Sequence, residues 1–187
     1  MKERAANDFY VDGPEAIEAL LRVERFSGAS WDGACGTGTI PKAMRDAGLD
    51  CFASDIVDRG FPGVALLNFL ADEPDGRGEH VDNIVSNPPF NLAREFIDKA
   101  LTIAAHKVAM LLPLTFLEGQ RKAAWLQAKP LARVHVFTWR INMPPGELLA
   151  AGKVELGGGK KCFAWFVFEH GWRGPAHVNL LIKPAAA

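Results

Sequence analysis

The sequence predicts an α/β fold in which helices cover a largely parallel β-sheet. Apolar, strand-like segments alternate with helical patterns along most of the chain, an order typical of such folds. A glycine-rich turn follows the first of these strands, and two prolines end another one abruptly. The 187 residues suit one compact domain, and 49% of them are hydrophobic, an ordinary share for a globular protein. We therefore expect a single domain over residues 1–187.

The predicted elements follow one another regularly. Strands are expected at the short apolar runs, and helices at the longer segments between them. The predicted strands are residues 29–35, 51–56, 81–86, 107–112, 134–139 and 162–168, and the predicted helices are residues 40–47, 92–105 and 116–128. Residues 140–161 form a long insertion rich in Gly, Pro and Lys, which we expect to be mobile. An ordinary loop and a loop that closes over a substrate both fit this insertion.

Hydropathy and cysteine usage indicate the compartment. The longest apolar run, around residues 108–117, is too short to span a bilayer, and the N-terminus lacks the features of a secretory signal. Cys35, Cys51 and Cys162 are odd in number and widely spaced, which favours neither a disulfide framework nor a metal-binding pair. We therefore expect a cytoplasmic protein without a membrane segment and without a metal site.

Charge is distributed unevenly along the chain. Residues 1–117 carry 11 Lys or Arg against 18 Asp or Glu, whereas residues 118–187 carry 10 against 4. A basic portion is the electrostatic footprint expected of a protein that binds a polyanion. Segregated, solvated surface charge fits equally well, so the charge pattern leaves both interpretations open.

The segment WDGACGTGTI, residues 31–40, is the first motif with chemical meaning. It joins the first predicted strand to the first predicted helix, and its glycines allow a sharp turn and close approach of the backbone to a ligand. Asp55 ends the second predicted strand, where a carboxylate can accept both hydroxyls of a ribose. Asp32 would repel a pyrophosphate but attract an ammonium group. Together they predict a cofactor in which a zwitterionic amino acid is attached to adenosine; a plain strand-to-helix connection is the alternative.

The segment SNPPF, residues 86–90, is the second motif. Asn87 offers a side-chain carbonyl and Pro88 a main-chain carbonyl, and the prolines restrict the backbone so that both acceptors are held in one arrangement. Two aligned acceptors can bind both hydrogens of an NH₂ group and leave its lone pair free to attack an electrophile. Phe90 can stack on a flat base. The motif therefore predicts chemistry on a planar amine or amide, whereas a simple turn is the structural alternative.

These motifs in this order resemble class I S-adenosylmethionine-dependent methyltransferases. The resemblance is to the amino-methylating branch with an Asn-Pro-Pro-aromatic motif, and within it to small N6-adenine methyltransferases of phages and bacteria. Three further segments carry it: DFYVDGPEAIEALL is similar to the N-terminal cofactor segment, LLNFL to the segment beside the adenine of the cofactor, and CFAWFVFEHG to the closing strand. Asp12 stands where that family usually has Thr, and Asn68 where it often has Asp.

The resemblance implies a Rossmann-like fold with a seven-stranded, mostly parallel sheet. Its strand order would be 3-2-1-4-5-7-6, with the last-added strand antiparallel and helices on both faces. The implied cofactor is S-adenosylmethionine. The residues implied to bind it are Tyr10, Asp12, Asp32, Ala34, Cys35, Gly36, Gly38, Asp55, Ile56, Asn68 and Phe69.

The resemblance also implies the reaction. Asn87, Pro88, Pro89 and Phe90 would be the catalytic residues of a transferase that methylates the N6 amine of adenine, with DNA as the partner. The same motif serves methylation of RNA guanine at N2 and of protein glutamine at N5, and a non-catalytic cofactor-binding subunit is a further alternative. Oligomeric state is not fixed by the sequence, and a homodimer stays open.

Charged and aromatic residues around the insertion are candidates for binding the nucleic acid, since bases can stack and phosphates can pair there. A Trp on a strand is also a common core residue, so that role is the alternative for Trp165. The candidates are Arg140, Lys160, Lys161 and Trp165.

Overall fold

The computed structural model describes residues 10–72, 81–144, 146 and 161–183 of the chain. The strands are β1 (Ser30–Asp32), β2 (Cys51–Asp55), β3 (Ala65–Leu66), β4 (Val81–Ser86), β5 (Ala104–Pro113), β6 (Leu131–Phe137), β7 (Phe163–Glu169) and β8 (His177–Leu181). The helices are α1 (Pro14–Val23), α2 (Thr39–Asp46), α3 (Ala93–Ile103) and α4 (Gln120–Gln127).

One sheet runs through the described part of the chain, in the order β3-β2-β1-β4-β5-β7-β6-β8. β7 is antiparallel to both neighbours, β5 and β6, and the other pairs are parallel. The order of the first seven strands and the antiparallel β7 confirm the prediction. The expected number of strands is wrong by one, because β8 adds to the outer edge of β6. Only Leu181 of β8 is buried, so this strand lacks the apolar run that identified the others.

Helices cover both faces of the sheet, as predicted. Alternate residues of a strand point to opposite faces, and β5 shows this clearly. Ala109 and Leu111 join a core with residues of α1 and α2, whereas Met110 and Leu112 join a second core with residues of α3. The central strands are therefore apolar on both sides, which explains why their sequences are nearly continuous hydrophobic runs.

Several predicted boundaries differ from the observed ones. Gly119 adopts a φ of 107°, which interrupts the predicted helix 116–128. A 3-10 turn at Leu114–Leu117 precedes it, and α4 follows it. Helix α3 ends at Ile103 because β5 begins at the next residue, so the predicted helix was too long and the predicted strand too short.

A buried ion-pair network ties the end of α1 to the sheet. Glu24 is 4% exposed and accepts hydrogen bonds from Lys107 of β5 and Arg133 of β6, and it lies 2.9 Å from Nε2 of the buried His135. Arg133 also pairs with Glu169 of β7. Burial alone would raise the pKa of Glu24, but the hydrogen bonds from His135, Arg133 and Lys107 outweigh it and lower the pKa to about 2. The ionised carboxylate therefore holds the end of α1 against two strands, β5 and β6, and Arg133 extends the network to β7.

Among the helices that the structure describes, none combines the length and apolarity needed to cross a bilayer.

Candidate functional site

The sheet brings the two sequence motifs to one edge. β1 lies between β2 and β4, with Asp32 paired with Ala53 and Trp31 paired with Ile84. The carboxyl ends of these three strands meet, and Asp32, Asp55 and the SNPPF segment lie at those ends. The strand order reverses between β1 and β4, which is where open α/β sheets form a crevice for ligands.

A cavity of about 200 Å³ lies in this crevice. It brings together thirteen of the fifteen residues predicted to bind a cofactor or to carry the catalytic motif; Asp32 and Gly38 are the two that do not line it. Those lining it are Tyr10, Asp12, Ala34, Cys35, Gly36, Asp55, Ile56, Asn68, Phe69, Asn87, Pro88, Pro89 and Phe90. The motifs are thus neighbours in space, although what each residue does there stays a prediction.

The glycine turn serves two surfaces. Gly36 has a φ of 55°, a left-handed conformation that favours glycine, and it lines the cavity. Gly38 is also left-handed, at 86°, but it caps α2 and lies in a groove between α1 and α2. A Cβ on Gly38 would be 1.9 Å from a ring carbon of Phe61. The structure therefore shows a packing role for Gly38, and its cofactor contact stays a prediction.

Asp55 is held firmly inside the cavity. The amide nitrogens of Gly36 and Val57 donate to its carboxylate at 2.9 and 3.0 Å, and Arg59 Nη1 donates to Oδ1 at 2.6 Å. Sequence reasoning missed Arg59, which also lines the cavity. Its signal was the Asp-to-Arg spacing of four residues, which allows an ion pair.

Asp32 lies behind the cavity wall and is 1% exposed. Ser86 Oγ donates to its Oδ1 at 2.7 Å and the Ala34 amide donates to the same atom at 3.2 Å, while Oδ2 is buried without a hydrogen-bond partner. Burial raises the pKa of Asp32 to about 8, opposed by the bonds from Ser86 and Ala34 and reinforced by the charges of Asp12 and Asp55. Ser86 is a second residue that sequence reasoning missed, although it opens the SNPPF segment.

Asp12 is a second buried carboxylate with an unpartnered oxygen, Oδ2. Thr39 Oγ1 donates to its main-chain carbonyl at 3.2 Å, which fixes the segment against the start of α2. Burial raises the pKa of Asp12 to about 6, opposed by hydrogen bonds from its own backbone and from Asn87. Two unpartnered carboxylate oxygens next to the glycine turn favour a positively charged group there.

Asn87 presents a free acceptor beside the cavity. Its Nδ2 donates to the main-chain carbonyl of Tyr10 at 3.3 Å and to Asp12 Oδ1 at 3.5 Å. Its Oδ1 is buried without a hydrogen-bond partner. No hydrogen bond within the described ranges uses the carbonyl of Pro88, the next residue. Both residues line the cavity, and neither oxygen has a hydrogen-bond partner among the described residues.

Phe90 lies at the same end of the cavity. The Tyr10 ring stacks on it, with centroids 5.4 Å apart and planes at 14°, and Phe163 packs on it at 5.8 Å. Lys161 Nζ is 6.0 Å from the ring centroid. A flat ring and a cation thus lie together where the NPPF motif meets the end of the insertion.

Of the four predicted nucleic-acid contacts, two lie near the entrance to the NPPF motif. Arg140 and Lys161 are exposed, and Arg140 Nη1 lies 3.0 Å from Sγ of Cys162. Lys160 lies outside the described residues. Trp165 is a core residue: its side chain is completely buried, and Nε1 donates to the carbonyl of Ala16 in α1 at 2.8 Å. The predicted contact of Trp165 with nucleic acid is wrong for this position, because its indole has no exposed surface.

The other end of the cavity is apolar. Ile56 is 56% exposed at the rim, whereas Phe69 is 2% exposed and packs against Gly33, where a Cβ would be 2.1 Å from the Phe69 ring. Asn68 is exposed, and its Oδ1 accepts from the Leu70 amide at 3.1 Å, so it shapes the local turn. This end offers a flat apolar surface next to the carboxylate of Asp55.

The part of the chain that the structure describes contains no group of three or more His, Cys, Asp or Glu side chains placed to hold a metal ion.

No protein-family model and no curated protein sequence matches this chain. Solved structures do match in fold. A modification subunit assigned to a type I restriction enzyme of Vibrio vulnificus YJ016 superposes with a TM-score of 0.60 at 12% identity, over 95% of this chain and 48% of that subunit. A class I S-adenosylmethionine-dependent methyltransferase assigned in Listeria monocytogenes matches with a TM-score of 0.54 at 15% identity, over 88% of this chain and 61% of that protein.

A third match is magnesium protoporphyrin IX methyltransferase from Synechocystis PCC 6803, which was crystallised with S-adenosylmethionine bound. Its TM-score is 0.51 at 12% identity, over 81% of this chain and 74% of that enzyme. These likenesses establish that the chain has the Rossmann-like fold of class I methyltransferases. The chain spans about half the length of the Vibrio subunit and about three fifths of the Listeria protein.

Proposed function

We propose that this protein is an S-adenosylmethionine-dependent N-methyltransferase whose target is the N6 amine of adenine in DNA. The observation that carries the proposal is the buried, unpartnered Oδ1 of Asn87, a residue that lines the cavity together with Pro88, whose carbonyl is also without a partner among the described residues. A buried acceptor without a donor is costly unless a ligand supplies one. An NH₂ group supplies two donors to two such acceptors.

The cavity fits the proposed cofactor at both of its ends. The apolar surface at Ile56 and Phe69 suits an adenine ring, and the adjacent Asp55 suits its ribose hydroxyls. The unpartnered oxygen of Asp12, which lines the cavity, suits the ammonium group of an amino acid, and Asp32 adds a second carboxyl behind the cavity wall. When bound, S-adenosylmethionine supplies an activated methyl group, which is chemistry that the protein's own side chains lack.

The NPPF segment would act on the target by position and electrostatics. Asn87 Oδ1 and the Pro88 carbonyl would accept the two hydrogens of the target amine and direct its lone pair into the cavity. Phe90 would lie against the target ring. Loss of a proton from the methylated nitrogen requires no dedicated base, because that nitrogen becomes acidic as the new bond forms.

Two observations support nucleic acid as the substrate. Lys161 provides positive charge beside Phe90, and Arg140 contacts Cys162, the residue next to Lys161, so phosphates next to a target base could pair there. The Vibrio neighbour is a modification subunit of a restriction enzyme. Adenine in DNA is the favoured target because the sequence motifs resemble those of N6-adenine methyltransferases. Identifying the methylated residue separates adenine from the other substrates of Asn-Pro-Pro-aromatic enzymes.

The test is to incubate the purified protein with methyl-labelled S-adenosylmethionine and, separately, with DNA, total RNA and protein, then digest each product and identify the labelled residue. Label in N6-methyladenine from DNA supports the proposal. Label in N2-methylguanine or N5-methylglutamine overturns the substrate while keeping the reaction. Cofactor binding without transfer to any substrate contradicts an enzymatic role and favours a cofactor-binding subunit.

A variant pair assigns the chemistry to the motif. Asn87→Ala should keep cofactor affinity within about twofold and reduce transfer at least 100-fold, since it removes one of the two acceptors. Asn83→Ala is the control, because Asn83 lies on β4, the strand that Asn87 follows, but binds Ser27 and Ser30 in the core. Turnover of Asn87→Ala that matches Asn83→Ala at equal folded fraction would contradict the assigned role of Asn87.

A further inference from the structure

Tyr10 contacts both functional parts of the NPPF motif. Its main-chain carbonyl accepts a hydrogen bond from Asn87 Nδ2, and its ring stacks on Phe90. The sequence resemblance grouped Tyr10 with the residues that hold the cofactor. Its contacts instead link it to the two residues proposed to hold the target.

The orientation of the Asn87 carboxamide depends on its neighbours. A carboxamide can present either its oxygen or its nitrogen to the cavity, and only the oxygen can accept from an amine. Tyr10 O and Asp12 Oδ1 are both acceptors, so they select the orientation in which Nδ2 faces them. Oδ1 then faces away without a partner. The acceptor geometry of the motif is thus set from outside the motif.

The Tyr10 carbonyl is held in place on both sides. The ring is anchored by its stack on Phe90, and the next residue, Val11, donates its amide hydrogen to the carbonyl of Pro144 at 3.0 Å. Pro144 lies within the insertion that begins at residue 140. The Tyr10 backbone is therefore tied both to the catalytic aromatic ring and to the start of the insertion.

We propose that Tyr10 is a positioning residue that fixes the Asn87 carboxamide with its oxygen toward the target amine. This inference rests on the proposed transferase function. The ring acts through the backbone: its stack on Phe90 holds the carbonyl at hydrogen-bonding distance from Nδ2. Nothing in this role involves the phenolic hydroxyl, so a phenylalanine should replace Tyr10 without loss.

The test compares Tyr10→Ala with Tyr10→Phe in three measurements. For Tyr10→Ala, we expect kcat to fall about tenfold, which is the factor for losing one oriented hydrogen bond, while calorimetric affinity for S-adenosylmethionine stays within about twofold. Tyr10→Phe should restore wild-type kcat. In ¹H–¹⁵N spectra, the side-chain amide signals of Asn87, assigned by their absence in Asn87→Ala, should lose protection from solvent exchange only in Tyr10→Ala.

The outcomes separate this inference from the proposed function. If the wild type binds no S-adenosylmethionine and transfers no methyl group, the proposed function fails. If the wild type is active but Tyr10→Ala weakens cofactor binding tenfold and leaves the Asn87 amide signals unchanged, Tyr10 is a cofactor residue and this inference fails. A kcat that Tyr10→Phe does not restore also contradicts it, because the hydroxyl would then be required.

Discussion

Arg59 Nη1 lies 2.6 Å from Asp55 Oδ1, so the carboxylate proposed to hold a ribose is ion-paired inside the cavity. Both side chains are largely shielded, with 15% and 8% of their surface exposed. Removing one partner of such a pair leaves the other charge poorly solvated. The pair therefore matters for the stability of the cavity wall before any ligand binds.

Arg59→Met should lower the free energy of unfolding by about 2 kcal/mol, because it leaves the Asp55 carboxylate without its cation. Urea denaturation at pH 7 measures this loss of stability. Arg25→Met is the control, because Arg25 is exposed. The double variant Asp55→Asn/Arg59→Met should be less destabilised than the two single variants added together. Strictly additive effects would show that the two side chains do not stabilise each other.

Asp32 should make the ligand-free protein less stable as pH rises. Its pKa is raised from 3.8 to about 8, so the folded state binds a proton that the unfolded state releases, and stability falls between these two values. Asp32→Asn mimics the neutral carboxyl and should remove part of this loss. We expect it to raise the free energy of unfolding by about 1 kcal/mol or more at pH 8.5 and to change it little at pH 5. The same variant should weaken S-adenosylmethionine binding, because Asn cannot neutralise an ammonium group.

Thermal unfolding of the wild type and of Asp32→Asn from pH 5 to pH 9 measures the pH dependence of their stability. Asp50→Asn is the control, because Asp50 is exposed. Parallel pH profiles for wild type and Asp32→Asn would contradict a buried carboxyl with a raised pKa at position 32.

Much of the fold and of the candidate site can be predicted from the sequence, because local sequence patterns specify these features. The apolar runs identified six of the eight strands, and the turn at Gly36 and the proline pair after Asn87 identified the two halves of the cavity. Strand ends are brought together by parallel pairing, so residues at those ends meet whatever their separation in the chain.

The features missed by the sequence depend on long-range contacts. β8 is recognisable only from its pairing with β6, since four of its five residues are exposed. Trp165 is an aromatic residue near a basic loop in the sequence, a pattern that fits a nucleic-acid-binding surface. Only its packing against α1 shows that the ring faces the core. The contacts of Tyr10 with Asn87 and Phe90 are set by the path of the backbone, which no local pattern specifies.

Glu24 should make the protein sensitive to acid. Its pKa is lowered from 4.5 to about 2, so it stabilises the fold above pH 4.5 and loses that contribution as pH falls toward 2. Glu24→Gln should lower the free energy of unfolding by about 3 kcal/mol at pH 7, because Arg133 and Lys107 lose their common charged partner. It should also flatten the stability profile between pH 4.5 and 2.

Chemical denaturation across this pH range measures the effect, and Glu118→Gln at an exposed position is the control. A profile in which Glu24→Gln loses as much stability in acid as the wild type would show that another group controls acid unfolding.

Trp165→Phe should affect stability and leave substrate recognition unchanged. The variant loses the hydrogen bond to Ala16 and part of the packing under α1, which should cost about 1–2 kcal/mol. At a temperature where both proteins are fully folded, KM for the nucleic-acid substrate should match the wild type. A raised KM with unchanged stability would restore a direct contact between Trp165 and the substrate.

Lys161 should contribute to nucleic-acid binding through its charge. Its Nζ lies 6.0 Å from the Phe90 ring centroid, beside the proposed position of the target base. Lys161→Ala should weaken binding of single-stranded DNA and reduce the slope of log K against log salt by about one unit, because one phosphate contact is lost. Fluorescence anisotropy at several salt concentrations measures both quantities.

The chain offers a matched control for this variant. Lys122 Nζ lies 4.6 Å from the centroid of Phe116, so it makes the same kind of contact, but Phe116 belongs to the core beneath α3 and not to the cavity. Lys122→Ala should leave affinity and salt slope nearly unchanged. Equal losses in the two variants would mean that DNA responds to overall charge, and the surface beside Phe90 would then have no special part in holding the substrate.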